Sequence, residues 1–375
     1  MEQALKILFL LQTAEHVRFR KRVALLMAGG AEAEVLAFER KSYPGRMPQC
    51  AYGSLGSLEH QSYLKRVRPF LRAVRVIRAR AKDNQVIYAF GLDMLLLGWL
   101  ASAGLRKKLV YEVGDIREVL IGSGVKNRLF RLLERFLIKR TDLLVVTSGA
   151  YLDHYFYKVQ GLSGINNFVL ENKLDRQWFP VYPGGEDRQR AGDYLTIGYY
   201  GVLRCKSSWE ILKALAEESE GAYRVYLRGI SREIDIDQES SSAYIEYGGP
   251  YLVPDDLPEV YGRADLVWAC YPYQGQKAGN WQWAKTVRFY EACYFQKPLI
   301  VQAGTEDSRV VEKYQIGLVV DMNAGIKAVV EELQEVTRDD LDRWSGNLRQ
   351  LPEEIYLYNG EHKELLELIR QSLVD

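Results

Sequence analysis

The sequence predicts an α/β protein built from two doubly wound parallel-sheet domains. Three observations carry that prediction. Short apolar runs of strand character alternate with amphipathic helical stretches along most of the chain, as in a parallel sheet covered by helices. The alternation stops once, in the Pro-, Gly- and charge-rich stretch 179–193 (FPVYPGGEDRQRAGD), and then restarts. A length of 375 residues lets each half bury its own core.

The apolar run at 6–11 (KILFLL) is too short for a signal peptide and reads as a first buried strand. A helix is expected from about residue 18 to 29, then a strand at 34–38 and a long basic helix over 64–82. Strands at 85–90, 108–113, 142–148 and 167–172 follow, with helices between them. Past the linker come strands at 195–201, 223–229, 243–249, 265–272 and 298–302, again separated by helical patterns. The expected layout is a first domain 1–178, the linker 179–193, a second domain 194–355 and a terminal amphipathic helix within 356–375. The longest other apolar stretch, 94–103, falls far short of a membrane span.

Net charge is +1, yet it is unevenly spread: residues 1–150 hold 26 Lys and Arg against 13 Asp and Glu, and the remainder 24 against 36. Such asymmetry points to an anionic surface or substrate met by the first domain, or to two halves that attract each other. The excess sits on two helices. The 64–82 helix has eight basic residues and no acid, with Val67, Phe70, Leu71, Val74 and Ile77 on one stripe. The second, over 126–140, has Leu129, Leu132, Leu133, Phe136 and Leu137 on its stripe and a single acid, Glu134. Each stripe is expected to pack on the sheet, leaving the basic faces to solvent or to an anionic bilayer. No groove-reading motif favours nucleic acid. Cys50, Cys205, Cys270 and Cys293 follow no metal-ligand spacing and read as buried thiols of a reducing compartment.

The segment 284–321, AKTVRFYEACYFQKPLIVQAGTEDSRVVEKYQIGLVVD, is the most informative. Arg288 and Glu291 lie three apart on one helix, which stops at Lys297-Pro298 before a buried strand. A Gly-Thr loop (Gly304, Thr305) then opens a second helix, whose first N–H groups favour anions; Glu306 and Asp307 there suit capping. A loop at the carboxyl end of such a strand is where open parallel sheets bind ligands. The block resembles the donor half of GT-B glycosyltransferases of the family-4-like type, which read roughly PN(K/R)xYEAxxxGKPLI here. The stretches 201–214 (GVLRCKSSWEILKA), 108–122 (KLVYEVGDIREVLIG) and 133–151 (LERFLIKRTDLLVVTSGAY) resemble the same family.

The resemblance implies two Rossmann-like domains facing each other across a cleft, the terminal helix crossing back to the first. It implies transfer of a sugar from a nucleoside diphosphate sugar, a UDP-sugar in this reading, to a hydroxyl of a lipid-linked or growing polysaccharide acceptor. Gly201 and Arg204, and less firmly Lys206, fall where the family meets the diphosphate, Gly201 by close backbone approach and Arg204 as a bidentate fork. Glu291 falls on the glutamate that binds the nucleotide ribose, and Arg288 where the family has Lys or Arg. Eight residues before Glu291 the family has another glutamate, and here stands Trp283. Lys277 and Lys285 lie in the 271–285 loop suited to the donor sugar. Tyr251, following 247–250 (YGGP), matches the loop that holds the nucleobase, or a plain turn. In the first domain Asp115 corresponds to the family's aspartate, as acceptor base or as helix cap, with Gly114 in place of Arg or His. His16 is a second catalytic candidate and Asp93 a weaker one. No metal and no cofactor beyond the donor is expected. Retention of configuration is favoured over inversion. The location implied is cytoplasmic, peripheral on the inner face of the plasma membrane. A catalytically silent subunit supporting a partner transferase and a nucleotide-sugar 2-epimerase are the alternatives.

Overall fold

A computed structural model describes residues 4–39, 47–57, 67–179, 194–231, 234, 242–273 and 278–374. The chain divides into two units, residues 1–171 with 360–375, and residues 172–359.

In the first unit, strands β1 (Leu5–Leu11), β2 (Ala31–Glu39), β3 (Ala51–Ser57), β4 (Val86–Phe90), β5 (Lys108–Val113), β6 (Leu143–Val146) and β7 (Asn167–Val169) form one parallel sheet. Their order is β3-β2-β1-β4-β5-β6-β7. Helices α1 (Val17–Ala28), α2 (Val67–Ala81), α3 (Leu92–Ser102), α4 (Glu118–Ile121) and α5 (Val125–Ile138), with a π-helix at Tyr151–Val159, connect them. The central strands are buried at every position from Ile7 to Leu11 and from Val86 to Phe90, which is why they read as continuous apolar runs rather than alternating ones. The sequence carries no strand signal for β3. Its AYGSLGS lacks an apolar run, because an edge strand buries little beyond Leu55.

Glu112 interrupts the apolar run of β5. It is 1% exposed and held by Arg22 at 3.0 Å and by the Tyr88 hydroxyl at 2.6 Å, while Arg22 also donates to the Leu170 carbonyl at 2.7 Å. A buried charge persists when its partners are all supplied in this way.

The second unit holds strands β8 (Leu195–Leu203), β9 (Tyr223–Ser231), β10 (Ile245–Tyr247), β11 (Leu266–Trp268), β12 (Leu299–Gln302) and β13 (Gly317–Val320), parallel in the order β10-β9-β8-β11-β12-β13. Its helices are α6 (Lys206–Glu218), α7 (Leu257–Gly262), α8 (Ala278–Trp283), α9 (Val287–Tyr294), α10 (Glu306–Tyr314), α11 (Ile326–Gln334) and α12 (Arg338–Arg349). Successive strand residues serve opposite cores: Tyr199 and Trp268 pack on one side of the sheet, Tyr200 and Val267 on the other.

The crossing between units comes earlier than the linker predicted from composition. Leu174 pairs with Leu357 in an isolated bridge and is buried, as is Phe179, in the second unit's core. Packing, not the Pro and Gly content of 180–193, thus assigns 172–179; residues 180–193 lie outside the described ones. The last helix, α13 (Glu361–Val374), belongs to the first unit and buries Leu365, Leu366 and Ile369. It packs beside α1, close enough that a Cβ on Gly29 would fall 2.7 Å from Leu366. This is the return to the first domain expected of the terminal helix.

The apolar stripe of α5 departs from expectation. Leu137 is buried, but Leu129, Leu132 and Phe136 are exposed, and Glu134 is 0% exposed instead. That carboxylate accepts from the hydroxyls of Tyr111, at 2.9 Å, and Tyr155, and from Gln160 Nε2 at 2.7 Å. Three donors offset its desolvation, so the helix turns its acid inward. On α2, Leu71 is likewise exposed while Ile77 is buried.

Candidate donor and acceptor sites

Both sheets reverse their winding at one point, between β8 and β11 in the second unit and between β1 and β4 in the first. Ligands bind open α/β sheets outside the carboxyl ends of the strands at that point.

In the second unit, Thr286 caps α9, its side chain accepting from the Phe289 N–H at 3.2 Å. Two residues on, the buried Arg288 donates from Nη1 to the carbonyl of Trp268, the last residue of β11, at 2.9 Å. Its guanidinium lies over the rings of Tyr199 and Tyr271, 4.9 and 4.7 Å from their centroids. Arg204, exposed just past β8, lies 5.8 Å from the same Tyr271 ring. Arg204, expected at the diphosphate, and Arg288, expected near the phosphates or Glu291, therefore converge on one tyrosine at the switch point.

Glu291, one turn along α9, is 4% exposed and accepts from the Tyr261 hydroxyl at 2.8 Å. Burial first, and then the Glu291 carboxylate, push the Tyr251 hydroxyl above the usual phenol range, against the opposing charge of Arg288. The Gly249–Pro250 turn before Tyr251 is tied down by Arg228, which donates from Nε to the Gly249 carbonyl and from Nη2 to that of Pro250, both at 3.2 Å.

Gly201 lies inside β8 rather than in the loop after it, opposite Gly229 of β9. Its φ of +99° explains the residue, and a Cβ on Gly229 would stand 1.8 Å from the Gly201 carbonyl oxygen. The close approach at this point is strand to strand, and the space beside Gly201's own Cα is open. Gly304 (φ +72°) leaves room for Tyr273, whose hydroxyl donates to the Ala303 carbonyl at 2.8 Å. Thr305 caps α10 in a reciprocal box with Ser308 and donates to the Gln302 carbonyl at 2.7 Å, so its hydroxyl is engaged in building the helix start. Lys277 lies outside the described residues. Trp283 ends α8, whose Trp281 sits 5.1 Å from the Tyr271 ring.

Asp307 is more than a surface cap. It is 2% exposed, and both carboxylate oxygens accept from the Thr286 N–H at 3.3 and 3.2 Å, joining the first turn of α10 to the start of α9. Burial raises it to about 7, against the Thr286 hydrogen bonds and the charges of Lys285 and Arg288. Beyond Tyr271's place in the 271–285 loop and Asp307's as a cap, the sequence does not single out Tyr271, Arg228, Tyr261 or Asp307 as site residues, since their roles depend on strand ends meeting.

In the first unit, His16 caps α1, its Nδ1 accepting from the Arg18 N–H at 3.3 Å. Burial, and then the Arg18 charge, lower it to about 4, so it is neutral near pH 7. A neutral ring with Nδ1 accepting carries its proton on Nε2 and presents a donor, not a base. Asp115, expected as acceptor base or helix cap, meets Arg18 Nη2 at 2.6 Å. Gly114 explains why: a Cβ there would lie 2.0 Å from Arg18 Nη1. The cation missing from position 114 enters from α1. Asp93 pairs with Arg117 at 3.1 Å. Among the described residues no group of three or more His, Cys, Asp or Glu could hold a metal. Cys205, Cys270 and Cys293 are buried, whereas Cys50 is half-buried.

Two Rossmann-like units, with their polar side chains gathered at the switch points, define the class: this is the GT-B fold, that of the GT-B glycosyltransferases. No protein-family model matches the chain. In sequence it is 28% identical over 352 residues to the succinoglycan biosynthesis protein ExoL of Rhizobium meliloti (strain 1021), covering 89% of this chain and 85% of that one. In structure it resembles a glycosyltransferase from Rickettsia africae ESF-5, with a TM-score of 0.73, 11% identity and 99% of each chain covered. It also resembles Anabaena Alr3699/HepE in complex with UDP and glucose, with a TM-score of 0.71, 16% identity, and 98% of this chain and 99% of that one covered.

Proposed function

We propose that the chain transfers a sugar from a UDP-sugar to a hydroxyl of a lipid-linked or growing polysaccharide, with its donor site in the second unit. The observation that carries this reading is the meeting of Arg204 and Arg288 on Tyr271, with Glu291 one turn along from Arg288 on the same helix. Two guanidinium groups at the strand ends suit a diphosphate leaving group, whose charge grows as the sugar–phosphate bond breaks. A buried glutamate on the same helix as Arg288 suits a vicinal diol such as a ribose. HepE was captured with UDP and glucose, and ExoL acts in polysaccharide biosynthesis by its name, which supports both the nucleotide and the product class.

Retention is favoured over inversion, as the family resemblance implies, and the Asp115 oxygen that meets Arg18 is already engaged. Neutral His16 suits hydrogen bonding to a substrate oxygen. No metal enters this scheme, the arginines taking the part of a cation.

A thermal-shift panel of UDP-, GDP- and dTDP-sugars tests the donor, since a ligand of the folded state raises apparent stability. A shift with UDP-sugars that vanishes in Glu291→Gln and Arg204→Ala supports the proposal; no shift with any of them overturns it. Proton NMR of the product's anomeric coupling decides stereochemistry. An inverted anomer would restore Asp115 as base.

A further inference from the structure

Helix α5 is amphipathic on both sides. Leu137, Ile138 and the paired Glu134 face the sheet. On the opposite side Val125, Leu129, Leu132 and Phe136 recur at intervals of four, three and four residues and form one outward row, 75, 61, 56 and 40% exposed. Arg128, Arg135 and Lys139 border that row on one edge, Lys126 and Arg140 on the other, and the guanidinium of Arg140 lies 3.5 Å from the Phe136 ring centre. The row continues sideways: Trp99 of α3 meets Phe136 edge-on at 5.3 Å, and Leu100 beside it is 40% exposed. α2 adjoins the end of α3 through Arg78, which donates to the Ala101 carbonyl at 2.9 Å, and adds the exposed Leu71, Arg72 and Arg75.

We propose that this face of the first unit inserts into an anionic bilayer, the α5 row entering the acyl boundary while the bordering cations meet lipid phosphates. A row of large apolar side chains left in water across three turns marks an interaction surface. Its basic borders fit the geometry of a helix lying in a membrane interface. Charge selects the occupant. A second copy docked row to row would bring like cations together, because Glu134 is the sole acid of 125–140 and points inward. A phosphate-covered hydrocarbon layer supplies both the counter-charge and the apolar phase. The inference deepens the proposed function, on which it rests for a lipid-linked acceptor.

The test is co-flotation of the full chain with phosphatidylcholine vesicles, with and without phosphatidylglycerol. Binding should require the anionic lipid and fall about fivefold for each bordering cation removed, as in Arg128→Gln and Lys139→Gln. Leu129→Glu with Leu132→Glu, at positions already exposed, should abolish flotation while leaving the UDP-induced thermal shift intact. Undiminished flotation of that double variant overturns insertion. So does a dimer in sedimentation velocity that the same pair of changes converts to a vesicle-inert monomer. Flotation without any UDP shift would sink the proposed function and leave this inference standing.

Discussion

Arg18 and Gly114 show how a residue's meaning depends on what fills the space beside it. The Arg18–Asp115 pair is part-exposed, 26% and 49%, so it adds at most about 1 kcal/mol to stability. Its consequence is positional. Gly114→Ala should leave the melting temperature nearly unchanged, since the atom it meets is the end of a flexible side chain, yet lower kcat by displacing Arg18 from Asp115. An unaltered kcat would show that the pair does not position anything. His16 gives a pH signature. Its folded value, about 4, lies below its ordinary 6.5, so the unfolded chain binds the proton better and stability falls as pH drops from about 6.5 to about 4. In His16→Gln that loss should be smaller, as read from denaturant midpoints across this window. Asp115 and Glu291 could be named as candidates from sequence because motif spacing survives in one dimension. Arg18, 97 residues from its partner, could not.

At the scale of elements, the α9–β12–α10 unit was legible because its stop, strand and cap are local features. Thr305→Ala should cost about 1 kcal/mol through loss of the cap, measured by denaturant unfolding. Asp307 links the two helix starts and carries the opposite sign from His16. Its folded value is raised from 3.8 to about 7, so its favourable contribution is complete below about 3.8 and is lost as pH rises toward 7. Asp307→Asn keeps an acceptor for the Thr286 N–H, and should be relatively more stable than the parent at pH 8 and little different at pH 4. Equal pH profiles for the two proteins would refute a buried, titrating carboxylate. α5 was misread at this scale: its period was right, but period alone does not say which of two apolar sides meets the sheet when an acid has three partners waiting inside.

For the whole molecule, the terminal helix makes the first unit discontinuous in sequence. Leu366→Ala should destabilise that unit by about 2–5 kcal/mol, seen as an earlier unfolding step while UDP binding by the second unit persists. A single transition shifted as a whole would show that the units unfold together. The sequence by itself determined that this protein has two parallel α/β halves, because strand burial and helix periodicity are local patterns imposed by the backbone. It also singled out the helix α9 that is proposed to serve the donor, through motif spacing. Tertiary structure alone decided which side of α5 is outward, where residues 172–179 belong, and that Arg18 reaches Asp115 while Arg204 and Arg288 share Tyr271. Those are contacts between strand ends and helices far apart along the chain, and they exist only once the sheets have assembled.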